Sequence, residues 1–331
     1  MPHWRPVCRR VWLRATTDWW FRADRGPASE AARIYTLQPM ARTREIKRRM
    51  TAVGTIARIT KTMQMIATAK FTAALQRASA TKPYTETLSD MVAELASTVS
   101  PEESGSPLLN APTPPRKREL LLVVSSDRGL CGAYNANVLR LAARYLRDQK
   151  AAGVDTVVET VGKKAVGFFQ FQGTEIANRY ELGDKPAYEA VEAIASGYMD
   201  RFAAGEFDAV RVAFMKFVSN ARQTPEIVQV LPLEADTAGE DASSGNAGCE
   251  FSPEPAELLA DLIPLAVKSR LFQCVNDGAV SEQIMRMIAM KAATENARDL
   301  RKTLSRDFNR ARQGQITTEL TEIISGVAAL E

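Results

Sequence analysis

The sequence predicts an α/β protein built as a long antiparallel coiled coil of N- and C-terminal helices, with a central Rossmann-like α/β domain, its sheet mixed, inserted between them. Three observations carry this. From Arg42 to about Val99 the chain is rich in Ala, Met, Leu, Lys, Arg and Thr, with Gly54 its one glycine and Pro83 its one proline. That is a very long helix, expected to bend or break near Pro83, and at ~1.5 Å per residue it reaches roughly 80 Å. A second helical run begins at Ala256 and continues nearly to the C-terminus. Between the two, short apolar runs alternate with helical patterns.

Five segments follow. Residues 1–39 are an extension, 40–100 an N-terminal helix, 101–118 a linker, 119–252 the α/β domain and 253–331 the C-terminal helix. The extension holds all four Trp, the only His (His3), and seven Arg against Asp18, Asp24 and Glu30. It lacks the apolar stretch of a secretory signal, and the reading adopted is that translation begins at Met40, leaving an unstructured upstream segment. From Met40 onward the basic and acidic residues balance at 36 each, so the net charge of +4 lies in the extension. The linker is marked by "SPEESGSPLLNAPTPPRKR".

Inside the α/β domain, "ELLLVVSSD" (119–127) reads as a buried parallel strand. A helix is expected from Asn135 to Ala152, a strand over 154–161, a helix over 163–171 and a short strand near Ile176. Another helix covers 188–204, and strands at 210–217 and 227–233 form an antiparallel pair. "EADTAGEDASSGNAGCE" (234–250) reads as a mobile acidic hairpin loop. Near the C-terminus Leu320, Ile323, Val327 and Leu330 follow a 3, 4, 3 spacing, the mark of a coiled-coil seam.

Between Ile46 and Thr85 the chain carries eight Lys or Arg and no Asp or Glu. Wound at ~100° per residue, Ile46, Met50, Val53, Ile56, Ala57, Met63, Ile66, Ala67, Phe71, Ala74 and Leu75 fall on one stripe. Lys47, Arg48, Arg58, Lys61, Lys70 and Arg77 lie outside it, with Ile59 and Met65 among them. A solvated charged face is the plain explanation, but with no acid for i, i+4 pairing and with apolar groups embedded, the surface suits an acidic partner. Nucleic acid is one such partner. Against it, no aromatic lies between Arg42 and Lys70 to stack on bases, and no zinc-finger spacing occurs.

Catalytic chemistry finds little support. Cys8, Cys131, Cys249 and Cys274 make no CxxC pair, and one His excludes most zinc and His-based acid–base sites. "SSDRGLCGAYN" (125–135) stands where a phosphate loop belongs, yet matches neither GxxxxGK[ST] nor GxGxxG. Asp127, Gly129 and Gly132 are expected to build a tight turn with Asn135 as helix cap. Ser125 and Ser126 lack a histidine, and Glu319 with Glu322 read as surface carboxylates. No cofactor and no metal are expected, and no apolar run is long enough to span a bilayer.

"MARTREIKRRMTAVGTIARITKTMQMIATAKF", "SSDRGLCGAYN", "SEQIMRMIAMKAATENARDL" and "ARQGQITTELTEIISGVAALE" resemble landmark segments of the gamma subunit of F-type ATP synthases, over essentially Met40 to Glu331. The C-terminal signature is met by Ile316, Thr317, Glu319, Glu322 and Gly326. Departures are residues 1–39, Val327 where Ala is common, and the 234–250 loop; the two-cysteine insert of chloroplast relatives is not apparent.

The resemblance implies a central-stalk rotor without catalytic groups, in a proton-translocating synthase. It implies alpha and beta subunits, an epsilon subunit and a c-ring as partners, no nucleic acid, and a peripheral place on the cytoplasmic face of a bacterial plasma membrane. It implies that Arg58, Lys61, Met63, Arg312, Gln313, Thr317 and Glu319 contact beta subunits. The alternatives are a basic coiled-coil nucleic-acid-binding protein and, third, an enzyme with an α/β nucleotide site.

Overall fold

A computed structural model of the chain describes residues 28–98, 108, 117–233 and 255–330, with side chains from 43 in the first long helix and from 257 in the last. Helix α1 (Ala28–Thr98, 71 residues) and helix α5 (Pro255–Ala328, 74 residues) are the long helices of the sequence reading. Between them lie β1 (Arg118–Val124), α2 (Tyr134–Ala151), β2 (Asp155–Val161), α3 (Lys163–Gln172), β3 (Asn178–Tyr180), α4 (Tyr188–Ala203), β4 (Ala209–Phe217) and β5 (Gln223–Leu231). The strand order is β3-β2-β1-β4-β5. All neighbours pair in parallel except β4 with β5, which run antiparallel, so the mixed Rossmann-like sheet is as expected.

Several expectations are corrected. α1 begins at Ala28, so the last part of the supposed unstructured extension is helical, while residues 1–27 lie outside the described residues. The helix runs unbroken through Pro83, because that residue is exposed and only one backbone bond is lost while flanking residues stay packed. The short strand is Asn178–Tyr180, and Ile176 packs instead against the cluster beneath α2 and α3. Asn135 does not cap α2, whose N-cap is Ala133 without a side-chain bond. Arg118 belongs to β1; 101–107, 109–116 and the 234–250 loop lie outside the described residues.

The chain divides into two compact units, one of Met1–Thr55 with Arg298–Glu331 and one of Ile56–Ala297. In the second, β1 is central and buried on both faces. Leu120, Leu122 and Val124 join α4 and the flanking parts of α1 and α5 in one cluster; Leu121 and Val123 join α2 and α3 in another. Continuous apolar strands of this kind need cover on both sides, which helices on both faces supply.

Within that unit α1 meets α5 along Ala57, Thr60, Gln64, Ala67, Phe71, Ala74, Ala78, Thr81, Thr85, Leu88, Val92 and Leu95, all buried or half-buried. Their spacing alternates four and three, the 3.5-residue period of a left-handed coiled coil. Thr60 and Thr294 meet hydroxyl to hydroxyl at 2.8 Å, and Thr81 donates to Gln273 Oε1 at 3.1 Å. In the other unit Thr43, Ile46, Met50 and Val53 keep the same spacing and are half-buried; Thr43 donates to Gln315 Oε1 at 3.3 Å and Gly54 faces the Arg301 side chain.

The period explains a further correction. Winding the helix at 100° per residue drifts against a 3.5-residue seam by ~20° per heptad. Ile56, Met63 and Ile66, assigned to the inner stripe, are 51%, 37% and 51% exposed, while the polar Thr60 and Gln64 lie inside. Leu320, Ile323, Val327 and Leu330 are likewise exposed, not the covered seam the spacing suggested.

Candidate functional site

The loop between β1 and α2 is built as a fastener. Ser125 Oγ accepts from the Ala165 amide at 2.9 Å, Ser126 O from that of Lys164 at 3.1 Å, and Asp127 Oδ1 from that of Lys163 at 3.1 Å. These three amides form the first turn of α3, a helix N-terminus of the kind that binds anions. Side chains and backbone of "SSD" already occupy it. A Cβ on Gly162, at φ +88, would lie 2.3 Å from Ser125 O, so only glycine permits this approach. The α3 N-terminus is thus closed to a phosphate, and the role of the two serines becomes legible.

The rest of the loop docks on α5. Gly132, at φ +59, places its backbone so that an added Cβ would meet Ala289 Cβ and Met285 O at 3.6 Å. An Arg286 guanidinium nitrogen donates to Arg128 O at 3.3 Å. Gly129 has no special φ and open space around it except Lys164. Residues 127–129 form a bend and Gly132 lies in a turn before α2, and the loop joins α3 and α5 to the sheet. Asn135, in place of capping, bonds Ser126 Oγ and lies 3.1 Å from Cys131 Sγ.

Two polar clusters were not foreseen. Glu159, 0% exposed, receives bonds from Asn178 Nδ2 (2.9 Å), Tyr180 OH (2.8 Å), Tyr198 OH (2.8 Å) and Arg201 (2.7 Å). Burial, with Glu159 beside it, pushes the Tyr180 hydroxyl up to about 12 and raises that of Tyr198 as well. A carboxylate inside a strand pattern carries no sequence signal of its partners, which come from two other elements, β3 and α4. The second cluster joins Lys70 of α1 to Asp184 before α4, and Arg286 to Glu282 at 2.7 Å. The bond from Lys70 holds the Asp184 carboxyl below the usual range, whereas burial raises that of Glu282.

The expected contact residues sit at the surface. Arg58 and Lys61 are exposed, the latter 3.3 Å from Gln64 Oε1, and Met63 stands beside them together with Ile56, Ile59, Met65 and Ile66. This makes a band of exposed apolar side chains next to the seam, with cations and no carboxylate on the helix from Ile46 to Thr85. In the other unit Arg312, Gln313, Thr317, Glu319 and Glu322 are exposed on α5, Glu319 receiving a bond from Gln315 at 2.8 Å. Ile316 is 50% exposed, and a Cβ on Gly326 would meet nothing within 4 Å. Among the described residues no group of three His, Cys, Asp or Glu could hold a metal ion, and no helix is long and apolar enough to cross a membrane.

Two helices of 71 and 74 residues thus flank an α/β domain. The chain belongs to the ATP synthase family, whose sequence profile matches residues 42–330. It is 40% identical over 303 residues to the ATP synthase gamma chain of Rhodopirellula baltica, spanning 88% of this chain and 100% of that one. The ATP synthase gamma chain of Leptospira biflexa is 37% identical over 88% of this chain and all of its own length. Among solved structures, the Euglena gracilis mitochondrial ATP synthase (OSCP/F1/c-ring) contains a chain of the same fold, with a TM-score of 0.60 at 18% identity over 88% of this chain and 95% of that one. These relatives displace the nucleic-acid reading of the basic helix.

Proposed function

We propose that the chain is the central-stalk rotor of a proton-translocating ATP synthase, contributing no catalytic group and coupling rotation to ATP synthesis in a ring of alpha and beta subunits. Epsilon and the c-ring are its partners at the head, and it works peripherally on the cytoplasmic face of a bacterial plasma membrane. Family membership supports the first part, and the exposed band around Met63 carries the rest. Its apolar side chains stand among Arg58 and Lys61 with no acid nearby in sequence, so an acidic ring surface is its complement. Arg312, Gln313, Thr317 and Glu319 form the second beta-contacting surface.

Such a surface suits movement. A turning interface works best without deep, register-specific pairs, each of which adds a barrier of about 1–3 kcal/mol when desolvated. Flexible Met and exposed Ile make shallow contacts that can be exchanged. By biasing which conformation of each beta subunit is stable, the shaft acts through differential contact free energy.

Met63→Lys adds a charge to the band and leaves the seam alone. Membrane vesicles carrying this variant are expected to assemble the complex and hydrolyse ATP while ATP-driven proton pumping per ATP falls. Pumping per ATP equal to wild type removes Met63 from the contact surface. Purification of the chain without alpha and beta subunits would overturn the rotor reading itself.

A further inference from the structure

Helices α2 and α3 and the start of β2 enclose a groove of about 1080 Å³ that no role assigned above uses. Its floor is apolar, with Leu139, Leu146, Val154 and Phe168. Along one wall Arg140, Arg147 and Lys150 line it, and Arg144 stands on the same helix face, since the four repeat at intervals of four, three and three. Arg144 has Asp148 at 3.8 Å; Arg140, Arg147 and Lys150 form no ion pair among the described residues. The one carboxylate lining the groove, Asp155, is met by Arg118 at 3.5 Å. At the base, Thr156 Oγ1 is buried without a hydrogen-bond partner. On α3, Phe171 is 92% exposed, one turn on from Phe168.

We infer that this groove docks an acidic amphipathic segment of another polypeptide chain, its apolar side chains on the floor and its carboxylates against the α2 cations. The charge is complementary only to an anion. A planar anionic bilayer would reach the arginine rim but not an apolar floor standing between two helices, so a chain segment fits the shape better than a lipid surface. The groove belongs to the α/β head and is separate from the Met63 band, so its partner is independent of the bearing role proposed above.

The test uses the intact ATP synthase complex purified from membranes, with Ala143→Cys on the groove wall carrying a benzophenone photocross-linker. Mass spectrometry is expected to find the cross-link in a peptide of one companion subunit that combines Asp or Glu with apolar residues. Adding Arg140→Glu and Arg147→Glu, both exposed and outside the core, should cut the yield about tenfold, since rim attractions become repulsions. Arg140→Lys with Arg147→Lys should keep it within about twofold. A lipid adduct, no protein cross-link, a cross-linked peptide without acids, or equal yield in the Glu variant each overturns the proposal. Normal coupling in the Glu variant alongside loss of the cross-link leaves the rotor function standing and separates the two readings.

Discussion

The sheet and the helical seam of the Ile56–Ala297 unit are both buried, yet they are filled by different residues. β1 presents Leu120, Leu121, Leu122 and Val123, all at 0–1% exposure, to helices on both faces. The α1 seam offers Ala57, Thr60, Gln64 and Ala67 before its first large side chain, Phe71. Burying a Leu or Val contributes about 1.5–3 kcal/mol, whereas a methyl contributes about 0.8 kcal/mol. Stability in the sheet is therefore concentrated in a few places, and in the Ala57–Ala67 stretch of the seam it is spread over weak layers. A head that must hold partners benefits from the first arrangement. Under the rotor function proposed above, a long coil that transmits torque without one decisive joint is served by the second.

The sharpest way to break the comparison is at the crossing of β1 and α3. Gly162→Ala forces a Cβ 2.3 Å from Ser125 O at a positive φ, and backbone, not a flexible side chain, has to move. A loss of about 3–5 kcal/mol is expected, read as a lowered urea midpoint and faster hydrogen exchange at the α3 amides. A loss below 1 kcal/mol would mean the head tolerates displacement as the seam does. Next in size is Arg201→Leu, which leaves the Glu159 carboxylate buried with three neutral donors and no cation. Removing one partner of a buried pair costs about 3–5 kcal/mol, trimmed here because Arg201 is 29% exposed. Tyr180→Phe, losing one of the bonds, should cost about 1 kcal/mol.

How far the sequence revealed these differences follows from the signals involved. The apolar run of β1 identifies a strand covered on both faces without further information, and the alternation of elements identifies the sheet. Long helices are equally visible, because one Gly and one Pro cannot hide a helix of this length. The seam was harder. Its small and polar residues do not stand out from the exposed face, and the larger apolar residues Ile56, Met63 and Ile66 lie just beside it, which pulled the inferred stripe outward. Only the strict alternation of three and four from Thr43 onward marks the true line. The Glu159 network left no trace, because its partners are far apart in sequence. "SSD" did signal a turn, but its service to the first turn of α3 depends on Gly162, nearly 40 residues later.

A pH measurement sharpens the comparison where α5 leaves the sheet. Burial pushes the Asp277 carboxyl up to about 6, even though Gln273 Nε2 donates to it at 2.9 Å; Lys82 of α1 and Lys216 and Glu226 of the β4–β5 hairpin are the charges facing it. The folded chain thus holds a proton that the unfolded chain releases between about pH 4 and 6. This group favours folding most below pH 4, and its contribution declines as pH rises through 6. Asp277→Asn keeps the bond from Gln273 and removes the buried charge, so it should stabilise the fold at pH 7 by roughly 1–2 kcal/mol and by nothing at pH 4. Equal effects at both pH values would show that the side chain's packing, not its charge, decides.

The smallest effect is expected where the seam is most polar. Thr60 and Thr294 face each other at 2.8 Å, and each hydroxyl also lies within 3.0 Å of a carbonyl of its own helix. Thr60→Val with Thr294→Val removes both hydroxyls together and leaves shapes nearly unchanged, so no unpaired donor remains and the change in stability should stay within about 1 kcal/mol. Thr60→Val alone leaves Thr294 its bond to Met290 O, so it too should be mild. What the pair of hydroxyls supplies is alignment, since polar contacts inside an otherwise apolar seam discriminate between registers. Cysteines placed at Ala57 and Ala297 test this through the distribution of disulfide products with and without the valine pair. If the double-valine chain keeps one register and loses more than about 3 kcal/mol, the layer acts as a concentrated joint like those of the head, and the contrast between the two regions fails.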